Sequence, residues 1–274
     1  MFSTGNILRM VACLVAGLSP SASALTLGLD FVTTGTSDIF GVGTTTANYS
    51  GYGFIGMTTA EIQQALLDAV IEDFRGYPTV GANGFSPLQN GLGLNINFAL
   101  STNQSAPLNG DMEYYFIAMG TGISSYPFLG QACLGCVRNA GLTPASVSVG
   151  ALVGSVLVDS IQTLAFLAST NAERINLLAG TISHEIGHTL SLDHSLSALA
   201  NPGAASFDTM ATGVSPTFMP NGDRILNRAF GYSQFGQLID AVGTRAGDEI
   251  PEPVSIWLTG AGILFVAGRA RFPR

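Results

Sequence analysis

The most informative feature of the sequence is a cluster of histidines. All three histidines of the chain lie within eleven residues, at His184, His188 and His194. Residues four apart on an α-helix project from one face about 6 Å apart, so His184 and His188 can share one metal ion. Imidazole nitrogens in this pattern suit Zn²⁺, which binds them at about 2.0–2.1 Å. A continuous helix would carry His194 to the opposite side, so we expect the helix to end and the chain to turn back.

Glu185 supplies the chemistry that the histidines lack. Three neutral ligands leave a fourth position for water, which is typical of a catalytic zinc rather than a structural one. Zinc lowers the pKa of its water towards ~7, and a neighbouring carboxylate can accept the proton and pass it to a leaving amine. The sequence therefore predicts a zinc endopeptidase that hydrolyses peptide bonds by zinc-bound water with Glu185 as general base. The alternative is a non-catalytic surface or biofilm-matrix protein that keeps a structural zinc site for stability.

Residues 184–194 resemble the metzincin signature H-E-x-x-H-x-x-G-x-x-H, most closely in its matrixin form. The match includes three flanking residues, Leu190, Leu192 and Ser195. It departs at Ser191, which stands where the family has glycine. Glycine adopts a left-handed turn freely, whereas serine meets a penalty of roughly 1 kcal/mol there. We therefore expect a strained or slightly altered turn before His194.

A second resemblance lies downstream, where metzincins carry a methionine turn beneath the metal. Met210, in the stretch 207–213 and 16 residues after His194, is the candidate. Its soft thioether would form an adaptable floor under the ligands. Thr212 stands where some members have a tyrosine, so no tyrosine ligand is implied. Met219 competes, but it is followed by proline and lacks small neighbours.

The resemblance implies an α/β (α+β) fold, a metzincin-like zincin. Its parts would be a mixed, mostly parallel five-stranded sheet, an active-site helix and a small C-terminal subdomain. Hydrophobic periodicity predicts helices at three places, namely residues 58–76, 171–190 and 225–242. The first of them has a capping-box-like start from Thr58 to Glu61. Alternating or β-branched runs predict strands at residues 25–33, 92–100, 113–119 and 147–158. Residues 35–56 are rich in glycine and threonine, which indicates a loop or a loop with an edge strand. We expect residues 113–122 or 147–158 to form the edge that aligns an extended substrate by strand addition.

The two ends of the chain are predicted to be targeting segments. Residues 1–24 combine Arg9, a short apolar run and a small-residue cleavage site, which indicates a signal peptide rather than a buried helix. Residues 251–274 join Pro-Glu-Pro, a short apolar stretch and an arginine cluster. This order resembles the PEP-CTERM sorting signal of Gram-negative bacteria, and an ordinary C-terminal membrane anchor is the alternative. The resemblance implies transient membrane anchoring, processing by an exosortase, and delivery to the envelope surface or extracellular matrix.

Between these ends, residues 25–250 form one predicted metalloprotease domain. The chain has 10 basic residues, all arginine, against 18 acidic ones, a net charge of −8. That balance argues against nucleic-acid binding, which needs clustered cations. With 47% hydrophobic residues, the chain has enough material for a buried core. We expect a monomer acting on protein or peptide substrates.

Two weaker signals concern a cysteine pair and calcium. Cys133 and Cys136 are predicted to form a local disulfide in an exported protein, with a thioredoxin-like redox site as the alternative. The nearby glycines Gly130, Gly135 and Gly141 indicate a loop there. Oxygens of residues 36–38 and 221–223 suit Ca²⁺, or else these stretches are turns or helix caps.

Overall fold

The computed structural model describes residues 24–75, 92–105, 113–138, 146–195, 207–211 and 221–246. Nearly all of the predicted signal peptide and the whole C-terminal sorting segment lie outside these residues. Among the residues described, no helix is long and apolar enough to cross a membrane.

Runs of strands are separated by one or two helices along the described chain. The strands are β1 (Leu25–Phe31), β2 (Thr36–Ser37), β3 (Gly43–Thr45), β4 (Leu92–Leu94), β5 (Ile96–Ser101), β6 (Glu113–Gly122), β7 (Gly130–Ala132), β8 (Leu152–Leu157), β9 (Phe207–Asp208), β10 (Arg228–Ala229) and β11 (Thr244–Ala246). The α-helices are α1 (Thr59–Arg75), α2 (Val158–Gln162), α3 (Asn171–Thr189) and α4 (Tyr232–Val242).

One mixed sheet forms the centre of the fold. Strands β5, β1, β6 and β8 lie side by side in parallel, and β7 closes the row antiparallel to β8. Strands β3 and β2 continue antiparallel from the carboxyl end of β6, which brings the connected strands to seven. The expected mixed α/β class is confirmed. The sheet is larger than the predicted five strands because residues 35–56, which read mainly as loop, supply β2 and β3.

The core lies between one face of this sheet and two helices. Every residue of β1 is buried, as expected for a parallel strand covered on both faces. Helices α1 and α3 pack against each other and join the strands in one apolar cluster. A smaller cluster around Val32 and Phe116 covers the opposite face. The sheet and α1 therefore form a firm support for α3.

The prediction that residues 113–122 or 147–158 form the edge of the sheet was wrong. Strand β6 pairs with β1 and β8 on its two sides, and β8 pairs with β6 and β7. Because both sides of β6 and of β8 are already paired, neither strand can accept a substrate peptide there. The strand at that end of the row is β7, which the sequence read as loop. Three residues that include a glycine are too short to show the alternation by which strands are recognised.

The C-terminal helix also differs from its prediction. Helix α4 begins at Tyr232 rather than residue 225, because β10 precedes it and pairs in parallel with β9. The Gln234 side chain accepts a hydrogen bond from the Gly231 backbone N–H at 2.7 Å, which fixes the start of the helix. By contrast, the Thr58 capping box is confirmed. Its hydroxyl accepts from the Glu61 N–H at 3.3 Å, and the Glu61 carboxylate accepts from the Thr58 N–H at 2.7 Å.

A buried charged group joins α1, α3 and β10 behind the predicted metal site. The Ser183 hydroxyl donates to Asp73 at 2.6 Å, and the Arg228 guanidinium donates to the Gly180 carbonyl at 3.3 Å. Burial raises the pKa of Asp73 to about 7, while Ser183 and the charge of Arg228 favour its carboxylate form. Asp73 and Arg228 are both buried, and the opposite charge of each favours the ionised form of the other.

Removing one charge of this pair is expected to destabilise the protein strongly. Arg228→Met leaves Asp73 buried without its cation and should lower the free energy of unfolding by about 3 kcal/mol. The double variant Asp73→Leu/Arg228→Met should cost less, because it leaves no uncompensated charge. Chemical denaturation measures both, with the exposed Asp68→Asn as a control. The idea fails if Arg228→Met is as stable as that control.

Candidate metal centre

Helix α3 carries the first two histidines and the glutamate on its last two turns. The helix begins with a capping box between Thr170 and Glu173, and almost every residue from Ile175 onward is buried. The helix continues to Thr189. The Leu190 N–H then bonds the Gly187 carbonyl at 3.1 Å, which tightens the last turn and ends the helix.

The structure brings the three predicted ligand atoms together. The Nε2 atom of His188 lies 3.1 Å from Nε2 of His184 and 3.2 Å from Nε2 of His194. Three nitrogens bound to one tetrahedral zinc would lie about 3.3 Å apart, given zinc–nitrogen distances of about 2.0–2.1 Å. Within the described ranges, these histidines form the only group of three or more His, Cys, Asp or Glu residues placed to hold a metal ion.

Hydrogen bonds on the far side of two rings determine what those Nε2 atoms can do. The Nδ1 atom of His184 is 2.8 Å from the Thr209 carbonyl, and that of His188 is 2.8 Å from the Leu192 carbonyl. A carbonyl only accepts, so each Nδ1 carries the proton and each Nε2 presents a lone pair. Burial lowers the pKa of His184 to about 3, and burial also lowers the pKa of His188. Two lone pairs that face each other repel unless a cation lies between them, so this donor set fits a divalent metal.

A left-handed turn directs His194 back towards the helix. Ser191 has a φ of 70°, in the region that the resemblance predicted for this position. Its N–H donates to the His188 carbonyl at 3.0 Å, and the Leu192 N–H donates to the Gly187 carbonyl at 3.0 Å. The Ser191 hydroxyl donates to the Arg138 carbonyl at 2.9 Å, so the turn is bonded to a neighbouring segment.

Met210, the predicted methionine-turn residue, packs against helix α3 at Gly187. It is fully buried, and a Cβ atom added at Gly187 would lie 2.5 Å from its sulfur, so glycine permits this close approach. The Ser195 N–H bonds the Met210 carbonyl at 2.7 Å, which joins the segments that follow His194 and Met210. The competing candidate, Met219, lies outside the described residues.

Glu185 is buried between α3 and the edge strand β7. A Cβ atom at Gly130 would lie 2.7 Å from its carboxylate, so only glycine leaves room for that group. Burial raises the pKa of Glu185 to about 8 in the metal-free protein. A nearby divalent cation would favour the carboxylate and lower that pKa. Burial therefore favours the protonated carboxyl in the metal-free protein, and a bound cation would shift Glu185 towards the carboxylate form that a general base requires.

The structure also describes the predicted cysteine pair and the two stretches considered for calcium. Cys133 and Cys136 are bonded as a disulfide in irregular backbone after β7, and the described residues 133–138 form no helix of the kind that a redox site would need. The Asp38 carboxylate accepts from two backbone N–H groups, at 2.9 Å and 3.0 Å, and from the Ser155 hydroxyl. It therefore holds a turn, which is the alternative that the sequence left open. Residues 221–223 form a short 3-10 helix.

Sequence reasoning missed the groups that orient the rings. Thr209 and Leu192 act through backbone carbonyls, which leave no signal in a sequence. Asp208 is different, because its carboxylate accepts from the Met210 N–H at 2.8 Å and from the Gln234 side chain at 3.1 Å. Its position two residues before the methionine was the available signal, since aspartate commonly bonds the backbone two residues on.

Comparison with known proteins adds little to this geometry. No protein-family model matches the sequence. No curated protein is similar to it at a significant level. Among solved structures, archaemetzincin from Methanopyrus kandleri aligns with a TM-score of 0.35 and 15% identity over 81% of this chain and 97% of its own. The GM1-bound form of the ECX AB5 holotoxin aligns with a TM-score of 0.35 and 13% identity over 88% of each chain. Likenesses at this level carry no argument about fold or function.

The burial of Glu185 predicts a pH dependence of stability in the metal-free protein. Its folded pKa, about 8, exceeds the ordinary 4.5, so the folded state binds the proton more tightly than the unfolded state. Stability should fall as pH rises between those values, by up to about 1.4 kcal/mol per pH unit. Glu185→Gln lacks this loss. Urea denaturation with a chelator at pH 5.5 and pH 8 should show wild type losing stability relative to the variant, and parallel behaviour would contradict the assignment.

Proposed function

We propose that this protein is an exported zinc endopeptidase of the metzincin type. His184, His188 and His194 are its metal ligands and Glu185 is its general base. The observation that carries the proposal is the meeting of three Nε2 atoms at a spacing suited to one ion. The resemblance of residues 184–194 to the metzincin signature supports the same assignment.

The reaction follows from the groups around the three histidines. A zinc ion held there would supply a Lewis acid that polarises a peptide carbonyl and acidifies a water molecule. The Glu185 carboxylate accepts the proton of the attacking water and donates it to the leaving amine.

Strand β7 is the element suited to align the substrate. Its one pairing in the described part of the chain is with β8, so its other side can receive an extended peptide. Gly130, the first residue of β7, lies directly over the Glu185 carboxylate. A peptide bonded along β7 would therefore run past the general base. This strand replaces the edge that the sequence had suggested.

Export is the second part of the proposal. It rests on the signal-like residues 1–24, on the sorting-signal resemblance of residues 251–274 and on the Cys133–Cys136 disulfide, a bond typical of oxidising compartments. We propose delivery to the envelope surface or extracellular matrix of a Gram-negative bacterium, with exosortase processing and transient membrane anchoring. The acidic charge is consistent with a protein or peptide substrate rather than nucleic acid.

Catalysis is expected to depend on both zinc and Glu185. Casein hydrolysis by the purified protein should stop when a chelator removes the metal and return with one equivalent of Zn²⁺. Glu185→Gln should keep its zinc and lose about 10²–10⁴-fold in kcat/KM, because only the proton transfer is removed. His184→Ala should lose zinc and activity together. Metal analysis of each variant separates the two causes.

One outcome would favour the non-catalytic alternative. If zinc-loaded wild type and Glu185→Gln are equally inert on casein and on a panel of unfolded proteins, the enzyme assignment fails. The metal would then serve stability, and its removal should lower the melting temperature without any change in hydrolysis.

A further inference from the structure

We propose that the disulfide-closed loop and the Ser191 hydroxyl together position the second and third metal ligands. This group, residues 133–138 with Ser191, is called the clamp below. The inference rests on the proposed zinc site and deepens it. The clamp supplies none of the three proposed metal ligands and acts through the backbone that carries His188 and His194.

The clamp completes the end of helix α3. The last carbonyls of an α-helix have no partners within the helix and need other donors. Here the Gly135 N–H donates to the His188 carbonyl at 2.8 Å. The Val137 and Arg138 N–H groups donate to the Thr189 carbonyl, at 3.2 Å and 3.3 Å. The carbonyl of a predicted metal ligand is therefore held by the loop between the two cysteines.

The disulfide closes that loop covalently, in addition to the backbone hydrogen bonds that hold its two ends. Gly135 has a φ of 64°, a conformation that glycine adopts without strain. Leu134, the one apolar side chain between the cysteines, is 62% exposed and adds little packing. The Cys133 N–H bonds the Val153 carbonyl of β8 at 3.1 Å, so one end of the loop belongs to the sheet. Without the covalent bond, the loop would regain conformational entropy and its donors would leave the helix end more often.

Ser191 connects the clamp to the turn before His194. Its left-handed backbone is strained for a residue with a side chain, and the hydrogen bond to the Arg138 carbonyl offsets that strain. The Arg138 guanidinium is paired with Glu113 of β6, so the acceptor is anchored to the sheet. The hydroxyl thus ties the turn to a fixed point. Glycine, which the metzincin signature has here, could not form this bond.

The positions of His188 and His194 both depend on the turn at Ser191. The next residue after Ser191 is Leu192, whose carbonyl accepts from His188 Nδ1 at 2.8 Å. A shift of the turn would therefore rotate the His188 ring and move His194 at the same time. Loss of groups that orient metal ligands typically weakens metal affinity by about 10–100-fold.

Zinc affinity of the full chain, measured by competition with a chromophoric chelator, tests the proposal. Cys133→Ala/Cys136→Ala and Ser191→Ala should each bind Zn²⁺ about 10–100-fold more weakly than wild type. Ser191→Gly loses the same donor but also the backbone strain, so its loss should be smaller. Val32→Ala, on the opposite face of the sheet, is the control for general destabilisation and should bind zinc as wild type does.

The outcomes separate this inference from the proposed function. Wild-type affinity in both the cysteine and the Ser191→Ala variants would overturn the clamp, as would zinc binding by Ser191→Gly that is tighter than wild type. Should the cysteine variant fail to fold, Ser191→Ala alone decides, because it removes a single hydroxyl. A wild type that does not bind zinc overturns the proposed metal site and the clamp with it. Zinc binding without peptide hydrolysis removes the enzyme assignment and leaves the clamp standing.

Discussion

The candidate site depends on one electrostatic constraint. The Nε2 atoms of three histidines lie close enough together to bind one ion, and two of these atoms carry no proton. His184 and His188 each commit Nδ1–H to a backbone carbonyl, so their Nε2 lone pairs face each other at 3.1 Å. A divalent cation turns that repulsion into attraction. The helix end, the left-handed turn and the buried methionine segment are what hold the rings in this unfavourable approach.

The features of the site and fold that could be predicted from the sequence are those formed by residues close together in the chain. The four-residue spacing of His184 and His188 and the capping box at Thr58 are local, and the structure has both in the expected form. Ser191 was expected to be strained, and its φ of 70° agrees. Strand β7 and the start of α4 were misread because they are defined by pairing with distant segments. The carbonyl partners of the histidine rings could not be predicted at all, since every residue has one.

Strand β7 and the loop that follows it connect the two halves of the candidate site. At one end, Gly130 lies over the Glu185 carboxylate, and at the other, Gly135 bonds the carbonyl of His188. Both glycines are required by close approach or by a positive φ rather than by flexibility. A change in this short stretch would therefore disturb both the Glu185 carboxylate and the positions of the histidines, although neither glycine carries a reactive group.

The direct test of the central claim is zinc K-edge X-ray absorption of the protein loaded with one equivalent of metal. Three imidazole nitrogens and one oxygen at about 2.0–2.1 Å should form the first shell. Multiple scattering from three imidazole rings should be resolved, and it should fall to two rings in His194→Ala. A first shell that contains sulfur at about 2.3 Å, or one with fewer than two imidazoles in the wild type, would contradict the three-histidine site.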